Sequence, residues 1–337
     1  ADGFEARPPA PGAERMGPEA LLARATAGGG PAPAGVRYLA DPAGPAYLQF
    51  GRESKAVDPY TGAEFGAGAA GMRSFFRTMI LWHRWLGQEG EGREVGKAIT
   101  GASNLGFLFL IVSGAYLWWP KRLTWKHLRP IVWFRGGLSG KARDFNWHNT
   151  AGFWALIPLF FVVATAPFFS YAWPGELLYR LTGEPPPASR GPAAPPGRER
   201  PDEPPPPSFA GMDAAWNRAR TLEPGWLAIA VSVPAPGKQT VGVTVERGHA
   251  GRPDLRTIYE FDRATGEIAR RQTFGDMGKA QRIRSWIRWT HTGEVGGWIG
   301  QTVAGVASAA ACLLVYTGWM LSWKRFRAWQ ARRAGVQ

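Results

Sequence analysis

The sequence predicts an α-helical membrane protein with three transmembrane helices and two small α+β units outside the membrane. Three observations predict it. Long stretches of the chain carry no charge, aromatic and basic residues crowd their ends, and a helix-then-strands pattern occurs twice, each copy closing on the same turn sequence.

The mean hydropathy of −0.21 averages a divided chain. Ala98–Pro120, Phe145–Gly175 and Val295–Trp323 contain no charged residue. Each exceeds the roughly 20 residues that an α-helix needs to cross a bilayer. Tyr116, Trp118, Trp119, Trp147, Tyr171, Trp173, Trp298, Trp319 and Trp323 gather at their ends, as side chains at headgroup level do. The expected spans are 97–120, 148–174 and the second part of 281–323, whose first part reads as an interfacial segment.

Lys and Arg set the expected orientation. The loop 121–147 carries Lys121, Arg122, Lys126, Arg129, Arg135, Lys141 and Arg143 against Asp144 alone, and the tail 324–337 carries Lys324, Arg325, Arg327, Arg332 and Arg333 with no acid. Basic loops stay in the cytoplasm, so the C-terminus is expected there and the α+β units outside. An odd number of spans agrees with both assignments. The net charge of +14 is read as topology signals plus scattered surface arginines. Its densest runs abut spans, so anionic headgroups are the expected partner and nucleic acid is not. The single cysteine, Cys312, excludes an internal disulfide, a cluster held by this chain alone and a covalently attached haem. The chain opens on Ala1, which fits an upstream signal or span beyond the given sequence.

Outside the spans, residues 1–16 read as a flexible segment and 17–71 as the first α+β unit. A helix is expected over Pro18–Ala27, strands over Val36–Leu39 and Tyr47–Phe50, and a strand from Lys55 into a turn. Residues 72–96 read as an interfacial helix and hinge, and 175–208 as a Pro-rich linker of polyproline type. The second unit, 209–280, repeats the pattern with a helix over Met212–Thr221 and strands over Trp226–Val233, Gln239–Glu246 and Thr257–Phe261. Each unit closes on Asp-x-x-Thr-Gly, at Asp58–Gly62 and Asp262–Gly266. The Asp side chain can accept from local backbone N–H groups while Gly takes positive φ. Gly66–Gly71 has the letters of a dinucleotide fingerprint but lacks the crossover helix and second strand that such a site requires.

Three of the five histidines stand at span boundaries. His83 and His291 each precede an outside-to-inside span, and His148 enters its span from the cytoplasmic side. Imidazoles at such positions, with little other metal-binding chemistry, point to axial ligands of haem iron. His83 and His291 share a depth and can hold one iron from both sides, which suits electron transfer. The competing reading is an amphipathic ring matched to its depth. His148 needs another partner, either a histidine on a further span or His127, itself more simply a surface residue. Arg84 and Arg288 are candidate partners for haem propionates, or else snorkelling side chains. His249 falls in a hairpin tip without an expected role.

The motifs His83-x-x-x-Gly87, Ser113-Gly114 with Trp118-Trp119-Pro120-Lys121-Arg122, Trp147-His148-Asn149-x-x-Gly152 and His291-Thr292-Gly293-Glu294, with the two Asp-x-x-Thr-Gly turns, resemble the PepSY-associated transmembrane family of bacterial inner-membrane proteins. The resemblance runs from about residue 17 to 325. It implies that the α+β units are PepSY-like and periplasmic. Members include FoxB-type ferric-siderophore reductases with b-type haems between helices. The implied activity is therefore electron transfer to a periplasmic ferric siderophore or similar iron chelate, fed by an unidentified donor. Such proteins begin with another span bearing a boundary histidine, which this chain does not display, so a fourth span and a second haem are expected to depend on upstream sequence. The alternative is a non-enzymatic PepSY binding or regulatory module, or an accessory subunit, anchored in the membrane.

Overall fold

The structure is a computed structural model that describes residues 3–8, 10, 12–27, 29–51, 53–66, 68–118, 124–186, 208–249 and 251–334. Lys121, Arg122, the side chains of Lys126 and His127, and most of the Pro-rich stretch lie outside the described residues. In chain order the first elements are α1 (Pro18–Thr26), β1 (Gly35–Leu39), β2 (Ala46–Phe50), β3 (Glu53–Val57), α2 (Ala70–Trp85) and α3 (Gly92–Trp118). There follow α4 (Trp125–Val132), α5 (Gly140–Thr165), α6 (Pro167–Ser170) and α7 (Trp173–Thr182). The remainder is α8 (Met212–Leu222), β4 (Ala228–Ser232), β5 (Thr240–Glu246), β6 (Arg256–Asp262), β7 (Ile268–Gln272), α9 (Lys279–His291) and α10 (Gly297–Ala334). Residues 1–78 with 179–282 form one compact unit, and 79–178 with 283–337 form another.

The two expected α+β patterns share one sheet. Its strands run antiparallel in the order β3-β2-β1-β4-β5-β6-β7. The two copies meet where β1 pairs with β4, Val36 opposite Val231 and Tyr38 opposite Ile229. Neither the three strands of the first copy nor the four of the second cover both long edges alone, and joining them removes two exposed edges at once. Alternation sends Val241, Val243 and Val245 of β5 and Tyr259 and Phe261 of β6 to one face, where all are buried. Against that face pack Leu21 and Leu22 of α1 and Met212, Ala215, Trp216 and Ala219 of α8. The α8 residues follow the i, i+3, i+4, i+7 spacing of a single helix face. Burying each such large apolar side chain stabilises by about 1.5–3 kcal/mol.

The repeat is visible bond by bond. Asp58 Oδ1 accepts from the N–H groups of Tyr60 and Thr61 at 2.7 and 3.2 Å, and Asp262 Oδ1 from those of Ala264 and Thr265, both at 2.9 Å. Gly62 and Gly266, at φ +69° and +70°, turn the chain in both copies. The helices α1 and α8 cap each other. The Glu19 N–H donates to Asp213 Oδ1 at 2.8 Å, and the Asp213 N–H donates to Glu19 Oε1 at 3.2 Å. Both carboxylates lie in the first turn of their helices, where the orphan N–H groups attract negative charge.

Described residues of the N-terminal segment make packed contacts. Ala6 is buried, its N–H donates to Ala43 O at 2.8 Å, and Phe4 stacks on Phe65. The strand β7 was not anticipated. Ile268, Arg270 and Arg271 are exposed, and an edge strand with both faces open has no alternation to read.

In the second unit, three helical stretches are long and apolar enough to cross a membrane: Gly92–Trp118, Gly140–Ser170 and Glu294–Ala334. The second begins before the expected span because the polar residues of 140–147 start α5, and residues 173–182 of the expected linker region are helical as α7. The central helix is α5, which packs against α3, α4 and α10. Its buried Ala155, Leu159 and Val163 recur every fourth residue and cluster with Ala307, Ala310, Ala311 and Leu314 of α10. Small residues let helix backbones approach closely, as membrane packing favours. Phe109, Leu110, Ile157, Val306 and Val315 point outward and are exposed, which suits a lipid-facing surface.

Candidate functional site

Both members of the expected histidine pair stand in the last turn of a helix. The Leu86 N–H bonds to Trp82 O and the Gly87 N–H to Leu81 O, and Leu86 and Gly87 both take positive φ. This paired closure ends α2 just after His83. Gly293, at φ +74°, ends the run after His291.

The structure brings the two rings together, with centroids 6.1 Å apart and planes inclined by 46°. His291 Nδ1 lies 2.8 Å from Val162 O. A carbonyl only accepts, so Nδ1 carries the proton and donates it there. Thr165 Oγ1, 3.2 Å from the same nitrogen, gives its own hydrogen to Phe161 O at 2.7 Å or Val162 O at 2.9 Å, leaving its oxygen as a second acceptor. The lone pair of His291 is thereby fixed on Nε2, the arrangement seen when a histidine binds a metal. Burial lowers its proton affinity below the ordinary imidazole value, the Val162 carbonyl opposes this, and His83 adds to the lowering. Phe169 packs beside it at 5.2 Å between centroids.

Two imidazoles gripping one metal at about 2 Å per nitrogen place their centroids roughly 6 Å apart. The donor set and spacing therefore fit an iron that His83 and His291 would hold between them. Among the described residues no group of three or more His, Cys, Asp or Glu side chains converges as a metal cluster, and Cys312 is exposed.

His148 is held by the same device at the other end of α5. Its Nδ1 lies 2.9 Å from Thr317 Oγ1. Thr317 is fully buried and donates its own hydrogen to Leu313 O at 2.7 Å. Its oxygen therefore accepts from His148 Nδ1–H, and Nε2 again keeps the lone pair. His148 and Thr165 are 17 residues apart on α5, roughly 25 Å at the helical rise, so His148 stands away from the His83–His291 pair. The suggested partner His127 has its side chain outside the described residues.

Arg84 lies over the Trp85 ring at 4.4 Å and Arg288 over the Trp289 ring at 4.8 Å. Among the described residues neither forms an ion pair with a protein carboxylate. His249 Nδ1 accepts from the Gly251 N–H at 3.2 Å, a local turn contact.

Sequence reasoning missed what fastens the His148 end. Asp144 looked like the lone acid of a basic loop. It is fully buried and binds Lys324 of α10 at 2.6 Å and Arg143 at 3.0 Å. Asn146 donates to Pro130 O and Trp133 O and accepts from the Arg135 N–H, tying the segment after α4 to α5. Thr165 and Thr317 were missed too. Their one sequence signal is a hydroxyl within an apolar run.

A comparison with curated proteins finds no match. The family model described as the PepSY-associated TM region matches residues 4–325, nearly the whole chain from the sheet unit through α10, and the chain belongs to that family.

Proposed function

We propose that this membrane protein binds haem b and transfers electrons across the bacterial inner membrane to a periplasmic ferric siderophore or similar iron chelate, releasing iron as Fe(II). The observation that carries the reading is the His83–His291 pair at 6.1 Å, with His291 Nδ1 fixed on the Val162 carbonyl. His83 and His291 would hold the iron from both sides, and their protein environment keeps Nε2 of His291 unprotonated for that purpose. Haem would supply reversible one-electron exchange when bound. Arg84 and Arg288 would pair with propionates from their places beside the two histidines. His148, anchored to Thr317, would serve a second haem near the cytoplasmic face if a further histidine completes the site.

One electron delivered to the chelate converts its Fe(III) to Fe(II), which hard oxygen ligands hold less well. The electron comes from a separate donor on the cytoplasmic side or in the membrane. The basic residues after Trp323 favour a cytoplasmic C-terminus, and the sheet unit would then be periplasmic.

The purified, detergent-solubilised chain is expected to show a b-type band in reduced-minus-oxidised spectra, and a colourless protein would refute the proposal. His83→Ala and His291→Ala are each expected to abolish the band of this site. A complete band in the double variant would refute the ligand choice and leave haem binding standing. Anaerobic mixing of the reduced protein with ferric chelates tests the acceptor, because absence of haem reoxidation by any of them contradicts it.

A further inference from the structure

We infer that α2 lies along the bilayer surface, with Met72, Phe75, Phe76, Met79 and Ile80 seated at the boundary of headgroups and acyl chains in an anionic leaflet. This concerns a surface that the proposed electron transfer does not use, and it stands whether or not haem is bound.

None of the 16 residues of α2 is buried. The five named side chains fall at i, i+3, i+4, i+7 and i+8, one face of a helix, and are 45–58% exposed. Two phenylalanines, two methionines and an isoleucine on one open face form an apolar patch that a water-facing surface does not sustain. Arg73 and Arg77 lie on one flank of this face, and α2 contains no acid. Arg77 lies 3.5 Å from Glu53, an exposed pair that adds little stability on its own. A helix with an apolar face, a basic flank and Trp82 and Trp85 near its end has the makeup of one lying in the interface plane.

Position decides between lipid and a protein partner. Six residues separate Trp85 from Gly92, where the first candidate span begins. Across that short connection Thr100 Oγ1 of α3 donates to Arg84 O at 3.0 Å, which fastens the end of α2 beside the start of that span. With three arginines in 16 residues α2 cannot cross the bilayer. A flank of cations at headgroup level draws anionic lipid by about 1 kcal/mol per residue at the surface.

The test uses the full chain in a Cys312→Ala background, with a nitroxide at Phe76→Cys or, on the far side of the helix, at Ser74→Cys. Neither position is buried. The labelled proteins are reconstituted into nanodiscs of phosphatidylethanolamine and phosphatidylglycerol. The expected result is that oxygen relaxes the label at 76 more strongly than an aqueous nickel complex does, with the order reversed at 74. Exchanging phosphatidylglycerol for phosphatidylcholine should make the label at 76 shallower. Equal access of nickel to both positions would overturn the proposal. Shielding of position 76 from both reagents would mean that protein covers the face, and would overturn it as well. Indifference to phosphatidylglycerol would overturn its anionic part.

Discussion

The two units use paired positions differently. In the sheet unit the pairs are equal: Asp58 and Asp262 accept the same backbone bonds, and Glu19 and Asp213 cap each other's helices. In the helical unit the anchored histidines are unequal. His291 and His148 both donate through Nδ1 and both touch a threonine, while among the described residues His83 has a ring contact with His291 alone. The turns repeat faithfully because each needs only its own local sequence, and the caps repeat because each helix start gives one carboxylate to the other. A site that takes two side chains needs a neighbour at the right depth, and only one end of α5 has it among the described residues.

The sharpest way to break this contrast is to remove each histidine in turn. His291→Ala should eliminate the absorbance of the paired site, while His148→Ala should leave that site's band and its midpoint potential in place. Equal loss in both variants would mean that the two ends of α5 do not hold separate sites.

A smaller effect is expected at the charged clamp, which belongs to the His148 end alone. Asp144→Leu leaves Lys324 without its carboxylate and should cost about 1.5–3 kcal/mol, the range for a hydrogen bond to a charged group. Adding Lys324→Met should restore most of the loss, because an apolar pair can replace a buried ion pair. Thermal unfolding in detergent measures both, and a silent single variant would show that the clamp does not hold α5 to α10.

The anchors themselves give a finer test. Thr317→Val removes the oxygen that orients His148, at about 1 kcal/mol for a net hydrogen bond. Thr165→Val should cost less, since Val162 O continues to hold His291 Nδ1 at 2.8 Å. The order of the two, read by thermal unfolding, reverses if the Val162 contact is not the stronger anchor.

Much of this was legible in the sequence, for physical reasons that also mark where legibility stopped. Uncharged runs of bilayer length and the aromatic residues at their ends reveal spans, because lipid imposes composition directly. His83 and His291 were identifiable because each breaks an apolar context at a helix end. The joining of the two copies through β1 and β4 was not, since alternation tells which face a strand buries and nothing about which strand lies beside it. The burial of Asp144 was hidden because its partner, Lys324, lies 180 residues away in what reads as a basic tail. Arg84 and Arg288 were recognisable as boundary cations, and their stacking on the next residue's indole was not considered.

The smallest expected effect tests whether the mutual cap in the sheet unit is as even energetically as it is geometrically. Burial pushes the Asp213 carboxyl above its ordinary value, and the nearby Glu19 charge adds to this, while the Glu19 N–H opposes it. The folded protein thus holds the Asp213 proton more tightly than the unfolded chain does. Mild acidification from neutrality should therefore stabilise the sheet unit through this group. Asp262 has the opposite sign, because bonds from the Thr265 and Ala264 N–H groups hold its carboxyl below the ordinary value. Its contribution is lost only when pH falls through that lower value, so the two groups act in different windows. Melting temperatures near neutrality and at about pH 5 should show a larger acid-induced gain, or a smaller acid-induced loss, in the parent than in Asp213→Asn. The substitution keeps an oxygen for the Glu19 N–H, so the cap survives while the titration is removed. An unchanged pH response would mean that burial of Asp213 carries no energetic penalty and that the two halves of the cap are equivalent in energy as well as in geometry.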